Sequence, residues 1–169
     1  MKFKSSILIF LIAISASAFA QDNKVEPSTE RAKSVYAEIG GNGLLISANY
    51  DFRFAKKQDG FGARAGVGFI PDLGFTPGAV TFPLGVNYLS GKGASYFEAG
   101  LGVTFITFST GGDFLGNQVK GETIAFFVPS IGYRYQPIRN GFTARIFVSP
   151  FIGSGEVQFW AGLSLGYKF

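Results

Sequence analysis

The chain contains no cysteine and no histidine. Without cysteine there can be no disulfide, no thiolate metal site and no thiol-linked lipid. Without histidine go the commonest general base, the commonest metal ligand and every Ser–His arrangement. Charge is also scarce. Asp, Glu, Lys and Arg make up 15% of the residues, against roughly 25% in an average soluble domain. The basic residues are scattered, with no Lys/Arg run, so nucleic acid is not an expected partner. No long apolar helical run follows the N-terminal segment. What the chain does have is 17% aromatic residues and 24 glycines in a length of 169, most simply one domain.

The first segment, MKFKSSILIFLIAISASAFA, has Lys2 and Lys4 ahead of an apolar core from Ile7 to Ile14, then Ala18-Phe19-Ala20. A basic start, a short apolar stretch and small residues at Ala18 and Ala20 are the marks of a secretory signal peptide cleaved after Ala20. The apolar core is shorter than the roughly 20 residues a membrane-spanning helix needs. Removing residues 1–20 takes Lys2 and Lys4 away and lowers the formal charge from +4 to +2. Residues 21–33, QDNKVEPSTERAK, read as a flexible polar leader.

From residue 34 to 169 the pattern has period two, as in β-strands whose side chains alternate between two faces. Reading back from the end, Phe169, Tyr167, Leu165, Leu163 and Ala161 alternate with Lys168, Gly166, Ser164, Gly162 and Trp160. Similar runs occupy 35–40, 44–54, 61–69, 80–88, 96–108, a stretch ending at 135, and 142–149. Polar or Gly-rich turns separate them: GGNG (40–43), AKKQDG (55–60), LSGKGA (89–94) and PIRNG (137–141). Longer connections run over 70–79 and 109–121. The expectation is an all-β chain of about eight strands closed into an antiparallel up-and-down barrel.

Periodicity alone does not say which face is outside. Soluble lipocalin-like barrels turn apolar residues inward; membrane barrels turn them outward. The polar face is mostly Gly, Ser, Thr and Asn, without the Lys/Glu-rich exterior of a soluble barrel. On the apolar face, Phe52, Phe54, Phe61, Tyr88, Phe97, Tyr133, Tyr135, Phe142, Tyr167 and Phe169 fall beside the short turns or the C-terminus, while Phe69, Phe82, Phe105, Phe127 and Phe159 fall towards the other end. Two aromatic girdles bridging hydrocarbon and headgroups would be so placed. The long loops share one end and the short turns the other, as in barrels with long extracellular loops and short periplasmic turns.

The C-terminal strand, with its Tyr167-Lys168-Phe169 ending, resembles the assembly signal of outer-membrane β-barrels, and residues 34–169 resemble the small eight-stranded barrels of the OmpA-transmembrane and OmpX type. The resemblance implies an outer-membrane location and lipid contact. It also implies recognition of Tyr167 and Phe169 by the barrel-insertion machinery, and it names no surface partner. Some small barrels of this size are lipid-modifying enzymes that rely on a catalytic histidine, which this chain lacks. A His-free membrane enzyme and a soluble periplasmic carrier of an apolar ligand are the alternatives to a non-enzymatic structural or surface-interaction barrel.

No catalytic, cofactor or metal site is expected. The glycines of GVGF and GLGV lie inside strands, with no helix N-terminus to form a phosphate cradle. Glu38 and Glu98 share the inner face with arginines and read as ion-pair partners rather than acid/base catalysts. Counted from the short-turn end of each strand, Glu38, Asp51, Arg64, Glu98, Arg134 and Arg145 sit roughly three or four residues in, so neighbouring strands bring them to similar depth. One interior charge layer is expected, with Arg53 and Lys168 below it. Tyr36, Tyr96, Phe147 and Trp160 are expected to fill the lumen.

Overall fold

The structure, a computed structural model, describes residues 31–72, 78–109, 112–114, 117–119, 123–153 and 156–169. The expected signal peptide, including Ala18 and Ala20, and the leader up to residue 30 lie outside the described residues. The strands are β1 (Lys33–Gly40), β2 (Ile46–Arg53), β3 (Gly60–Ile70), β4 (Ala79–Lys92), β5 (Ser95–Phe108), β6 (Gly112–Phe114), β7 (Asn117–Val119), β8 (Thr123–Tyr135), β9 (Gly141–Val148), β10 (Phe151–Gly153), β11 (Glu156–Gln158) and β12 (Ala161–Lys168). Eight of them are barrel staves, each antiparallel to its neighbours in the order β1, β2, β3, β4, β5, β8, β9, β12. The β1–β12 and β8–β9 ladders close the ring. The short pairs β6–β7 and β10–β11 stand at the long-loop end, β10 adding one rung to β8 at Ile152 and Phe127.

The walls follow the sequence pattern, with differences at the turns. β4 runs on to Lys92 instead of stopping at residue 88, and its turn shrinks to Gly93-Ala94. Such two-residue hairpin turns need positive φ, and Gly93 supplies it at 64°. GGNG is not a simple hairpin turn. Residues 41–43 form a 3-10 turn folded into the barrel, with Asn42 and Leu44 buried. This inturn is tied to several staves: Thr81 Oγ1 donates to the Gly43 carbonyl, and Thr104 Oγ1 to that of Asn42.

Side-chain polarity is the reverse of a soluble barrel. Val35, Ile46, Phe61, Val86, Leu101, Ile131, Ile146 and Leu163 lie on the exposed outer surface, as do the aromatics of both expected girdles except Phe52 and Tyr135, which are half-buried. At the short-turn rim the rings touch: Phe61 meets Tyr88 edge-on at 4.8 Å between centroids, and Tyr50 reaches Phe52 and Phe169. The buried charged residues are all inside. A soluble monomer rarely exposes more than a few hundred Å² of contiguous apolar surface, so this outer face suits an apolar surrounding.

The glycines explain how long side chains fit into an eight-stranded ring, whose interior is just wide enough for side chains. Register sets a bulky inner residue against a glycine of the next strand: Arg53 beside Gly62, Tyr36 beside Gly166, and Phe147 between Gly132 and Gly162. A Cβ on Gly132 would fall 2.3 Å from the Ile146 carbonyl oxygen and 2.4 Å from Phe147 Cβ. Gly132→Ala is therefore expected to destabilise by about 1–3 kcal/mol, the range for overpacking, measured as a lower urea midpoint. An unchanged midpoint would show that the ring has slack there.

Above the inturn the lumen changes character. Leu44, Ile70, Ala79, Ile106, Phe108, Phe126, Val128 and Phe151 pack into a buried apolar cluster in the long-loop half. A uniformly small, polar inner face does not anticipate it. The signal was available in β5, whose inner face turns from Glu98, Gly100, Gly102 and Thr104 to Ile106 and Phe108. Trp160 keeps the inner parity: its carbonyl accepts the N–H of buried Ser149, continuing the β9–β12 ladder, and its indole N–H donates to the Leu44 carbonyl of the inturn, with the side chain 36% exposed.

Candidate functional site in the barrel lumen

Glu38, Asp51, Arg53, Arg64, Glu98, Arg134, Arg145 and Lys168 are all buried on the inner face. Their contacts cross the lumen instead of running only between neighbours. Asp51 on β2 takes Arg134 from β8, across the ring, at 3.0 Å, and Arg53 from its own strand at 2.6 Å. Asn87 donates to the second oxygen of Asp51 and also receives Arg53 Nη2. Arg134 Nε reaches Glu98 at 2.8 Å. Arg145 Nη2 holds the other Glu98 oxygen at 2.8 Å and Nη1 holds Glu38 at 3.2 Å. Asp51 and Glu98 each bridge two arginines while Glu38 takes one, and in low dielectric such charge-assisted bonds are strong only when all members are satisfied.

Arg145 is held on its faces too. Its guanidinium lies 4.9 Å from the Tyr36 ring centroid and 4.7 Å from that of Phe147. Cation–π contact of this kind strengthens on desolvation. The other Glu38 oxygen accepts the Asn42 backbone N–H at 3.1 Å, which joins the ion network to the inturn. At the short-turn end Lys168 Nζ donates to Gln58 and to the carbonyls of Pro137 and Ile138, while Gln136 links Gln58 to Arg134.

One member of the expected layer stands apart. Arg64 is buried but forms no ion pair among the described residues; Nη2 makes a 3.5 Å contact to Ser130 Oγ. Of the two residues expected below the layer, Lys168 bonds to neutral groups at the short-turn end, whereas Arg53 joins the network through Asp51 and Asn87. The polar residues Asn42, Gln58, Asn87, Ser130 and Gln136 complete the network without having been picked out in the sequence. Asn87 and Gln136 share the inner parity of the charged positions, which would have found them. Asn42 lies in the inturn, where strand parity does not apply. Tyr167 and Phe169 face outward on the closing stave, and the backbone of Phe169 exchanges hydrogen bonds with that of Lys33.

Chemically, this arrangement engages each carboxylate with arginine, leaving Glu38, Asp51 and Glu98 little freedom to act as base or metal ligand. Among the described residues no acidic cluster has metal-binding geometry.

No family model matches the chain, and no curated protein matches it. Solved structures do. The N-terminal β-barrel domain of Pseudomonas aeruginosa OprF superposes with a TM-score of 0.59 at 13% identity, covering 85% of this chain and all of that one. Ail, the attachment invasion locus protein of Yersinia pestis, matches with a TM-score of 0.43 at 12% identity, over 86% of this chain and all of that one. The OprF similarity shows a shared fold, a β-barrel.

Proposed function

We propose that the protein is a non-enzymatic β-barrel of a Gram-negative outer membrane, exported by a signal peptide cleaved after Ala20, with a structural or surface-interaction role and a lumen closed by its own side chains. One observation carries this reading: an exposed apolar wall encloses a fully buried, cross-linked set of ionised residues. Lipid is the surrounding that suits such a wall, because a closed barrel leaves no unpaired strand edge in hydrocarbon. In this orientation the short turns are periplasmic, and 70–79 and 109–121 reach outside the cell, where a surface partner would be met.

The test joins extraction to conductance. Protein from outer membranes should resist carbonate, run faster on unheated gels than after boiling, and have a mass that begins at Gln21. Reconstituted in planar bilayers, it should show no steady porin-like current. Release by carbonate would remove the membrane reading, and steady conductance would remove the closed lumen. The closing stave supplies the proposed contact with the insertion machinery, through outward-facing Tyr167 and Phe169. Phe169→Ala should lower the amount of assembled barrel without lowering synthesis; unchanged assembly would discard that role.

A further inference from the structure

The outer wall is not evenly bulky. On β1 and β2 the outward rung Ala37–Ala48 carries two methyl groups, while the rungs on either side pair Ile39 with Ile46 and Val35 with Tyr50. Leu165 flanks Ala37 on β12, and Val67 flanks Ala48 on β3. The small rung leaves a groove of about 850 Å³ in the wall, open to the surroundings and bounded towards the short turns by Tyr50 and Tyr167. That volume is within the roughly 300–1,000 Å³ of ligand clefts.

The foot of the groove is charged. Lys33 comes two residues before Val35 on the same outward face of β1, exposed at the short-turn rim. Its neighbours in the ladder are Phe52 and Phe169. Arg31 is exposed two residues earlier, and Lys56 and Lys57 are exposed in the β2–β3 turn. Against these four cations stand Asp59 of that turn and the Phe169 carboxylate, so the rim keeps a positive excess among the described residues. An apolar groove that rises from a cationic foot matches an acyl chain above a phosphate, since basic residues at a membrane surface attract anionic headgroups.

We propose that this face binds one anionic two-chain phospholipid, its phosphate on Lys33 and one acyl chain lying along Ala37 and Ala48. The inference rests on the proposed placement in lipid, with the short turns at the periplasmic leaflet. A second copy of the chain suits the groove less well. Copies in one membrane point the same way, so a two-fold contact here would bring two Lys33 side chains together.

The folded barrel in detergent is titrated with phosphatidylglycerol and, separately, with phosphatidylcholine of equal chain length, and bound lipid is counted by native mass spectrometry. One phosphatidylglycerol should bind, more tightly than phosphatidylcholine. Lys33→Gln should weaken it about fivefold, the contribution of one cation near anionic lipid. Ala48→Phe, which fills the groove from outside the lumen, should weaken both lipids. Lys92→Gln, exposed at the same rim on β4, is the control and should bind as the wild type does. Equal affinity for the two lipids overturns the proposal, as does unchanged binding by Lys33→Gln or Ala48→Phe, or a Lys92→Gln as weak as Lys33→Gln. A barrel dimer that Ala48→Phe abolishes also overturns it, by giving the groove to a second copy. If Ala48→Phe fails to fold, the lipid preference and Lys33→Gln decide. Carbonate extraction tests the membrane placement separately: a carbonate-resistant barrel without lipid preference defeats this site alone.

Discussion

Replacing Glu98 with Gln is expected to lower stability by about 3–5 kcal/mol, the cost of breaking a buried pair from one side. Glu98 takes three arginine bonds, as many as Asp51 does: Arg134 on one oxygen, Arg145 on both. Its neutral amide twin keeps the shape and removes one of the three buried carboxylate charges that face four buried guanidiniums. Against a total stability of about 5–15 kcal/mol, that loss is large. Replacing Arg145 as well removes a partner of the lost charge, so the double variant should lose less than the sum of the two singles. Coupling between contacting groups runs to about 0.5–3 kcal/mol. Urea unfolding in lipid vesicles of both singles and the double variant gives the number. Strict additivity, or a silent Glu98→Gln, would mean that water screens the layer and that it does not hold the barrel together.

Leu101→Arg is expected to cost about 2–4 kcal/mol in a bilayer, the range for a cation on the lipid face at the midplane. Leu101 points outward from the middle of β5, between Val86 and Pro129 on the neighbouring staves. Leu101→Ala is the control for losing the side chain alone. The sign separates the readings. On the outside of a water-soluble barrel an arginine here would be neutral or would improve solubility, whereas in lipid it must snorkel or drag water in. A variant as stable as Leu101→Ala in vesicles would place this position in water.

Strand identity and facing were readable because period two survives wherever a ladder is regular. The alternation of Phe97, Ala99, Leu101 and Val103 with Glu98, Gly100 and Gly102 carries straight through to the observed walls. Inner depth was readable for the same reason, since hairpin register fixes which charges meet at one height. The partners were not. Asp51 neighbours Arg64 in register yet bonds to Arg134 across the ring, because a long side chain in a narrow barrel reaches the opposite wall as easily as the adjacent strand. The inturn was hidden because Gly-Asn-Gly suits an outward hairpin turn equally well. Burial of the Leu44 side chain, the bonds from Thr81, Thr104 and Trp160, and the Asn42 N–H on Glu38 hold it inward.

The apolar wall should face lipid while the charges lie within. Because the chain has no cysteine, a single one can be placed at Val86, mid-height on the outer face of β4, and given a nitroxide label in the folded barrel in vesicles. The account predicts fast relaxation by oxygen, which concentrates in hydrocarbon, and little relaxation by a water-soluble nickel chelate. Strong nickel relaxation with weak oxygen relaxation would put that wall in water and contradict it.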